Sequence, residues 1–186
     1  MIGYALTGSF CTIQRSLEAL KELSKYNDII PIISDSVKNT DTRFGKASDT
    51  VTKLTEICGR EPIATVKDAE PLGPRTRLDA LIICPCTGNT LAKLAHGITD
   101  TPVTMAAKAH LRNGRPLILA IATNDGLSQN LANIAAMINK KNVYLVPFAQ
   151  DDPTGKPSSL IAEMSLLPDT LREALNGKQL QPILIR

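Results

Sequence analysis

The amino-acid sequence predicts an α/β fold, a single domain over residues 1–186 in which helices cover both faces of a parallel sheet of about six strands. Three observations indicate this three-layer α/β/α sandwich. Short apolar runs alternate with helical patterns along the whole chain. The runs are continuously apolar, as strands buried on both faces require. A length of 186 residues suits one domain.

Six apolar runs rich in β-branched residues are predicted as strands. They span residues 2–6, 29–33, 63–66, 80–84, 117–122 and 143–146. Alternating strands and helices give parallel strands joined by right-handed crossovers. The carboxyl ends of these strands are therefore expected at one edge of the sheet.

Four apolar stripes at helical spacing predict the longer helices. The stripes run from Ile13 to Leu23, from Phe44 to Leu54, from Leu127 to Ile138 and from Leu160 to Ala174. The last stripe keeps its phase across Pro168, so we expect a kink there, because proline removes a helical hydrogen bond. Gly177 is expected to end this helix.

Composition and charge argue against several classes of protein. With 21 basic and 18 acidic residues the net charge is +3, and the chain has three Phe, three Tyr and no Trp. It therefore lacks the basic patches and stacking surfaces of a nucleic-acid-binding protein. Its apolar runs are shorter than the roughly 20 residues of a membrane span, and no charged segment precedes an apolar one at the N-terminus. We expect a cytoplasmic protein that binds neither nucleic acid nor membrane.

The loops that leave the predicted strands contain the unusual residues, whereas those that enter them are short and plain. The exit loops are residues 7–10, 34–36, 69–74, 85–90, 123–126 and 148–157. In open α/β sheets, ligands bind beyond the carboxyl ends of the strands. The sequence therefore predicts a ligand site at this edge.

Two exit loops offer several hydrogen-bond donors at the start of a helix. Gly8 allows close backbone approach and Ser9 adds a hydroxyl, while Thr87, Asn89 and Thr90 follow a later strand. Together they favour a mononucleotide phosphate, because a helix N-terminus attracts anions. The alternative is that these residues are ordinary N-caps.

Several catalytic motifs are missing from the sequence, including GxGxxG, a P-loop, GxSxG and HExxH. Cys84 and Cys86 could form a redox pair, but we favour two small apolar side chains at the end of a strand. His96 and His110 are predicted to be ordinary, partly exposed helix residues. No set of metal ligands is predicted.

The segment from Cys84 to Asp100 (CPCTGNTLAKLAHGITD) resembles the P-A-S-A-N-T…K-A-G-I-A-D signature of flavin-containing cysteine decarboxylases and flavin prenyltransferases. Residues 69–74, 123–126 and 147–153 resemble more closely the B subunits of dipicolinate synthases, and that likeness covers essentially the whole chain. The resemblance implies a Rossmann-like, flavodoxin-like sandwich. It also implies a homo-oligomer, a trimer or a multiple of one, with FMN near a subunit interface.

Carried over by position, the resemblance implies a set of residues for FMN. Ser34 would lie near the phosphate, and the others would be Gly8, Ser9, Phe10, Thr87, Asn89 and Thr90. Asn124 matches the catalytic asparagine of the decarboxylases' P-x-M-N motif, although Ala122 and Thr123 replace its surroundings. The decarboxylase histidine has no counterpart in residues 35–59, which argues against peptidyl-cysteine decarboxylation.

The function implied by the resemblance is formation of dipicolinate, pyridine-2,6-dicarboxylate, from a dihydrodipicolinate-type intermediate during sporulation. The partner would be an A subunit of the NAD(P)-binding type, with NAD(P)H on that subunit. Two alternatives remain: a non-catalytic FMN-binding or scaffold subunit that organises the A subunit, and a phosphopantothenoylcysteine-type decarboxylase.

Four residues are predicted to contact the substrate. Asn124 is predicted to be catalytic, orienting the reacting ring, or alternatively to N-cap the following helix. Glu70, Gln150 and Lys156 are predicted to bind the dicarboxylate. Residues 148–159 would form either a lid that brings Lys156 to the substrate or a solvated surface loop.

Overall fold

The structure, a computed structural model, describes residues 1–185. Within these residues seven strands form one sheet: β1 (Ile2–Leu6), β2 (Ile29–Ile33), β3 (Ala80–Cys86), β4 (Leu117–Thr123), β5 (Val143–Leu145), β6 (Phe148–Asp152) and β7 (Lys156–Ala162). Their order is β2-β1-β3-β4-β7-β6, and β5 also pairs with β4. The strands from β1 to β5 are parallel.

Helices lie on both faces of this sheet. They are α1 (Ile13–Ser24), α2 (Asp35–Asn39), α3 (Ala47–Cys58), α4 (Val66–Ala69), α5 (Gly88–Ala95), α6 (Pro102–Leu111), α7 (Gln129–Ile138) and α8 (Leu167–Leu175). Helices α1 and α8 cover one face, while α5, α6 and α7 cover the other. The predicted three-layer sandwich is confirmed. In residues 1–185 no helix has the length and apolar content needed to cross a membrane.

The central strands form the core. Every residue of β1, β2 and β3 is buried, which explains why these segments are continuously apolar. The predicted bounds of β1 and β2 are correct, whereas β3 and β4 extend to Cys86 and Thr123 and β5 ends at Leu145.

The predicted strand at residues 63–66 is wrong. Ile63 forms an isolated bridge with Ile32. Two residues later Thr65 N-caps α4, accepting a hydrogen bond from the amide of Asp68 at 3.1 Å. The apolar run is therefore divided between one bridge residue and the first turn of a helix.

The predicted loop at residues 148–159 is also wrong, because most of it forms the β6–β7 hairpin. Strand β7 runs antiparallel to β6 and to the end of β4, where Thr123 pairs with Leu160. The sheet is therefore mostly, and not wholly, parallel. Because β7 includes Leu160, α8 begins only at Leu167 and has Pro168 in its first turn, where proline costs no hydrogen bond.

Two other helical stripes are placed differently from expectation. Leu127 precedes α7, and Leu127, Leu131 and Ile138 are 42%, 50% and 41% exposed, so of this stripe only Ile134 faces the core. Phe44 lies outside α3 and is exposed. Gly177 has a φ of 74° just beyond α8 and ends that helix as predicted.

Candidate functional site

Thr7 joins the loops that leave β1 and β3. Its hydroxyl donates to the carbonyl of Pro85 at 2.7 Å, and the same oxygen accepts from the amide of Thr87 at 3.0 Å. In the sheet, β1 lies between β2 and β3, so the strand order reverses direction at β1. The Thr7 contacts therefore lie at the topological switch point, where open α/β sheets bind ligands.

The loops that leave β1 and β2 meet at Gly8. A Cβ at Gly8 would lie 2.7 Å from Ser36 Oγ, so any larger residue would force the Ser36 side chain to move. The hydroxyls of Ser34 and Ser36 are 3.0 Å apart, and Ser34 also caps α2 by accepting from the amide of Val37. Ser9 forms no side-chain cap for the 3-10 helix that follows it. These hydroxyls make one edge of the sheet rich in donors.

The start of α5 is capped by Thr87. Its Oγ1 accepts from the amide of Thr90 at 3.2 Å and lies 3.0 Å from the Thr90 hydroxyl. The capping alternative is thus confirmed for Thr87. The amides of Gly88 and Asn89 lie in the first turn, where a helix offers no internal acceptor, and the Asn89 side chain is exposed. Any anion here would be bound by these amides and by Asn89.

Asp125 organises the loop that leaves β4. Its carboxylate accepts a hydrogen bond from the Thr123 hydroxyl. It also accepts from Asn130 Nδ2, which lies 2.8 Å from Asp125 Oδ1. These hydrogen bonds, chiefly that of Thr123, lower the pKa of Asp125. A Cβ at Gly88 would lie 2.5 Å from both Asn130 Nδ2 and Thr123 Oγ1, so the loops after β3 and β4 are also in close contact.

A small cavity of about 190 Å³ lies between the β1 exit, α1 and the β6–β7 hairpin. Its polar lining includes Ser9, Arg15, Asn124, Asp151, Lys156 and Ser159. Since a water molecule occupies about 30 Å³ of the liquid, this volume corresponds to roughly six waters. The small cavity therefore suits a ligand with a single ring.

Asn124 lies in the wall of the small cavity and does not cap α7. That helix starts at Gln129 with Ser128 as its N-cap, so the capping alternative for Asn124 is wrong. Its Oδ1 accepts from the Ser159 hydroxyl at 3.5 Å. Its amide nitrogen donates no hydrogen bond to residues 1–185, which leaves those protons for a ligand.

Two cations, Lys156 and Arg15, line the small cavity, and each has a carboxylate partner. Lys156 Nζ lies 3.0 Å from Asp151 Oδ2, and this contact raises the pKa of Lys156. Arg15 Nη2 lies 3.6 Å from Glu163 Oε2. Arg15 was not among the residues predicted for the ligand site. Its position about one turn beyond the exit loop of β1 could have indicated that it lies close to that site.

A larger cavity of about 310 Å³ lies between α1, α2 and α3. Phe10 and Phe44 line it together with Lys46 and Lys53. Cys11 lines both cavities, so the two are neighbours. Of the residues predicted for FMN, Phe10 faces the larger cavity and Ser9 the small one. The others lie along the strand ends outside both cavities: Gly8, Ser34, Thr87, Asn89 and Thr90.

Glu70 and Gln150 are not brought into the small cavity. Glu70 directly follows α4 and is exposed. The nearby Gly73 packs against the carbonyl of Ala109, in the last turn of α6. Since α6 leads into the N-terminal end of β4, Glu70 lies near the end of the sheet opposite the small cavity. Gln150 is exposed on β6 and donates to the carbonyl of Pro157 at 2.8 Å. The small cavity thus contains Asn124 and Lys156 from the predicted substrate residues.

The histidines and close cysteines lie outside the small cavity. His110 is buried rather than partly exposed, and its Nε2 lies 2.8 Å from the carbonyl of Pro116. Burial lowers the pKa of His110, whereas His96 is exposed. Cys84 and Cys86 are fully buried, and burial raises the pKa of both thiols, as expected of core residues. No three His, Cys, Asp or Glu side chains in residues 1–185 gather as metal ligands.

The fold and the donor-rich switch point are those of a flavoprotein-type α/β domain, and the chain belongs to the Flavoprotein family, whose model matches residues 1–163. It is 46% identical over 185 residues to the B subunit of dipicolinate synthase of Bacillus subtilis strain 168, covering 99% of this chain and 92% of that protein. The crystal structure of the dipicolinate synthase B subunit of Bacillus halodurans matches with a TM-score of 0.91 and 43% identity, covering 100% of this chain and 95% of that one. The resemblance predicted from the sequence is confirmed.

Other similar proteins share less with this chain. The FMN-dependent cysteine decarboxylase SpaF has the same fold, with a TM-score of 0.67 at 20% identity over 93% of this chain and 95% of its own. The flavin prenyltransferase UbiX of Deinococcus radiodurans is 37% identical over 60 residues, 32% of this chain and 31% of that protein.

Proposed function

We propose that this chain is the flavoprotein-like subunit of a dipicolinate synthase. With an A subunit of the NAD(P)-binding type, it forms pyridine-2,6-dicarboxylate from a dihydrodipicolinate-type intermediate during sporulation. The observation that carries the proposal is the 46% identity to the B subunit of a dipicolinate synthase over 99% of the chain. NAD(P)H is placed on the A subunit because the resemblance to dipicolinate synthases implies it, and this sequence has no GxGxxG segment of its own.

In this proposal the small cavity binds the substrate ring. The Lys156 ammonium group attracts a substrate carboxylate from the start of β7. Asn124 offers a neutral donor and acceptor that does not titrate near pH 7, so it holds the ring nitrogen or a carboxylate in a fixed orientation.

The cofactor in this proposal is FMN, and the donors along the strand ends fit it. Ser34, Ser36 and the amides at the start of α5 would hold its phosphate and polar chain, with Asn89 beside them. Gly8 keeps the backbone close, and Phe10 supplies an aromatic surface at the larger cavity. When bound, a flavin supplies a two-electron acceptor for the hydride lost as a dihydropyridine ring becomes aromatic.

We further propose that the chain forms a homo-oligomer, a trimer or a multiple of one. The exposed apolar side chains of Leu127, Leu131 and Ile138 support this, because they would lose contact with water in such an assembly. Light scattering should give the mass of the oligomer for the natural chain and a lower mass for Leu131→Glu. Equal masses would argue against this face as the contact.

The function is tested by three measurements on the purified chain. Its absorbance in the flavin bands and the mass of any extracted cofactor identify FMN. Turnover of a freshly generated dihydrodipicolinate-type substrate is then followed with this chain alone, with the isolated A subunit, and with the two together. We expect dipicolinate to form only with both. Full turnover by the isolated A subunit would favour the scaffold alternative.

A further inference from the structure

We propose that Arg15 is a second carboxylate-binding residue of the small cavity. Arg15 and Lys156 would each bind one carboxylate of a dicarboxylate ligand, while Glu163 and Asp151 serve as their counter-ions in the free protein. This inference rests on the proposed function and specifies how the same site distinguishes two carboxylates from one.

Arg15 has free hydrogen-bonding capacity. Its one ion-pair contact within residues 1–185, from Nη2 to Glu163 Oε2, is 3.6 Å long, beyond a good hydrogen bond. A guanidinium group has five N–H donors arranged to bind a carboxylate through two parallel bonds. The side chain is 46% exposed and lines the small cavity, so these donors are accessible to a ligand there.

Glu163 is held in place independently of Arg15. Its Oε1 accepts from the amide of Ser165 at 3.2 Å and from the Ser165 hydroxyl at 2.9 Å, capping the 3-10 helix at Met164–Leu166. The Ser165 hydrogen bonds lower the pKa of Glu163, so the carboxylate stays ionised. It can therefore keep Arg15 near the small cavity until a ligand carboxylate takes its place.

Lys156 is arranged in the same way on a different element. Within the described residues its Nζ has a single ion pair, at 3.0 Å to Asp151 on the adjacent strand of the hairpin. An ammonium group has three donors. One cation thus comes from α1 and the other from β7, each with its own counter-ion. A ligand with two carboxylates can pair with both cations, whereas a monocarboxylate can pair with only one.

The four charges balance in the free protein. Arg15 and Lys156 are offset by Glu163 and Asp151, so neither cation is left without a partner when the cavity holds no ligand. A dicarboxylate adds two charge-assisted contacts at once. We therefore expect the second carboxylate to contribute strongly to affinity through Arg15.

The test compares two probes by isothermal titration calorimetry: pyridine-2,6-dicarboxylate and pyridine-2-carboxylate. The natural chain should prefer the dicarboxylate. Arg15→Gln should weaken dicarboxylate binding by about tenfold or more, the scale of one lost charged hydrogen-bonding partner, and leave the monocarboxylate within about twofold. The matched control is Arg172→Gln, on α8 and paired with Asp169, which should change neither affinity.

A second variant separates binding from a structural effect. In Glu163→Gln the side-chain oxygen can still accept from Ser165, but the charge that competes for Arg15 is gone. This variant should bind the dicarboxylate more tightly, opposite in sign to Arg15→Gln. Equal losses for both probes in Arg15→Gln, or no loss for either, would overturn the Arg15 assignment while leaving the proposed function intact. If the natural chain binds neither probe and forms no dipicolinate with the A subunit, the proposed function fails and this inference fails with it.

Discussion

The hydroxyl oxygen of Thr7 accepts a hydrogen bond from the backbone amide of Thr87 at 3.0 Å, across 80 residues of sequence. Thr7 follows β1 and is 1% exposed, and Thr87 follows β3 and caps α5. Since Thr7 also donates to the carbonyl of Pro85, one buried side chain satisfies two backbone groups of the neighbouring loop. The position of the α5 N-terminus therefore depends on Thr7.

Thr7→Val should destabilise the fold by about 1–3 kcal/mol, because the carbonyl of Pro85 and the amide of Thr87 would lose a buried partner. The free energy of unfolding in urea measures this effect. Thr7→Ser keeps the hydroxyl and should lose only about 1 kcal/mol for the missing methyl group. If Thr7→Val and Thr7→Ser lower the free energy of unfolding equally, the Thr7 hydrogen bonds do not contribute to stability.

Asn89→Asp should weaken FMN binding by about 1–3 kcal/mol, since it adds a negative charge to the predicted anion site. The same charge in the first turn of α5 favours the helix, so thermal stability should hold or rise. Fluorescence titration gives the FMN affinity. Asn139→Asp, at the end of α7, adds the same charge elsewhere and serves as control. Unchanged affinity in Asn89→Asp would count against placing the phosphate here.

Asn124→Ser should reduce turnover with the A subunit by roughly 10²-fold or more, the scale of one preorganised polar contact. Because Asn124 lies outside the N-cap position of α7, which Ser128 occupies, the melting temperature and FMN content should stay near normal. Steady-state turnover with both subunits measures the effect. If turnover persists, the catalytic residue must be sought in the A subunit.

Lys156→Ala should raise the Michaelis constant for the dicarboxylate substrate about tenfold and leave FMN binding intact, because it removes a cation from the small cavity only. Lys178→Ala removes the same charge beyond α8 and is the matched control. An unaltered Michaelis constant in Lys156→Ala would remove this residue from the substrate site.

His110 should make stability depend on pH. Burial lowers its pKa below the ordinary value of about 6.5, so the folded chain resists protonation more than the unfolded chain does. This contribution is fully present above the ordinary value and is lost as the pH falls through the lower folded value. His110→Gln can still donate to the carbonyl of Pro116 and should show a flatter free energy of unfolding between pH 7 and pH 5. Parallel curves for the two chains would contradict this.

Sequence patterns predicted the parallel core because its strands are buried on both faces. They were less informative at the periphery. Residues 63–66 are a short apolar run, for which periodicity does not distinguish a strand from a helix. The helical spacing from Leu127 to Ile138 predicted α7, but only Ile134 of that stripe is buried. The buried face also contains Asn130, whose side-chain amide donates to Asp125. The spacing of apolar residues does not reveal that a polar side chain is buried with a hydrogen-bond partner.

The small cavity lies at the edge of the sheet where the sequence placed a ligand site, but it contains only two of the four residues predicted for the substrate. Asn124 and Lys156 meet only because residues 148–159 form a hairpin beside the end of β4. That segment was predicted as a loop because it is rich in polar residues such as Gln150 and Asp151, which are exposed in the hairpin. Glu70 was assigned through a strand that does not form, so its loop was placed at the incorrect end of the sheet.

The attachment of the hairpin to the sheet sets the order in which the protein should lose its functions. Two residue pairs, Ala122–Ile161 and Thr123–Leu160, join β7 to β4, whereas β1 is paired along its whole length with β2. Phe148, Leu160 and Ala162 anchor the hairpin in the core, but its far end, residues 150–157, is exposed and should open at a lower free energy than the core. Mild heating should therefore release this end, with Lys156 and Asp151, while the ladder around Thr7 persists. Inactivation would precede global melting, and the inactive protein would still retain its flavin.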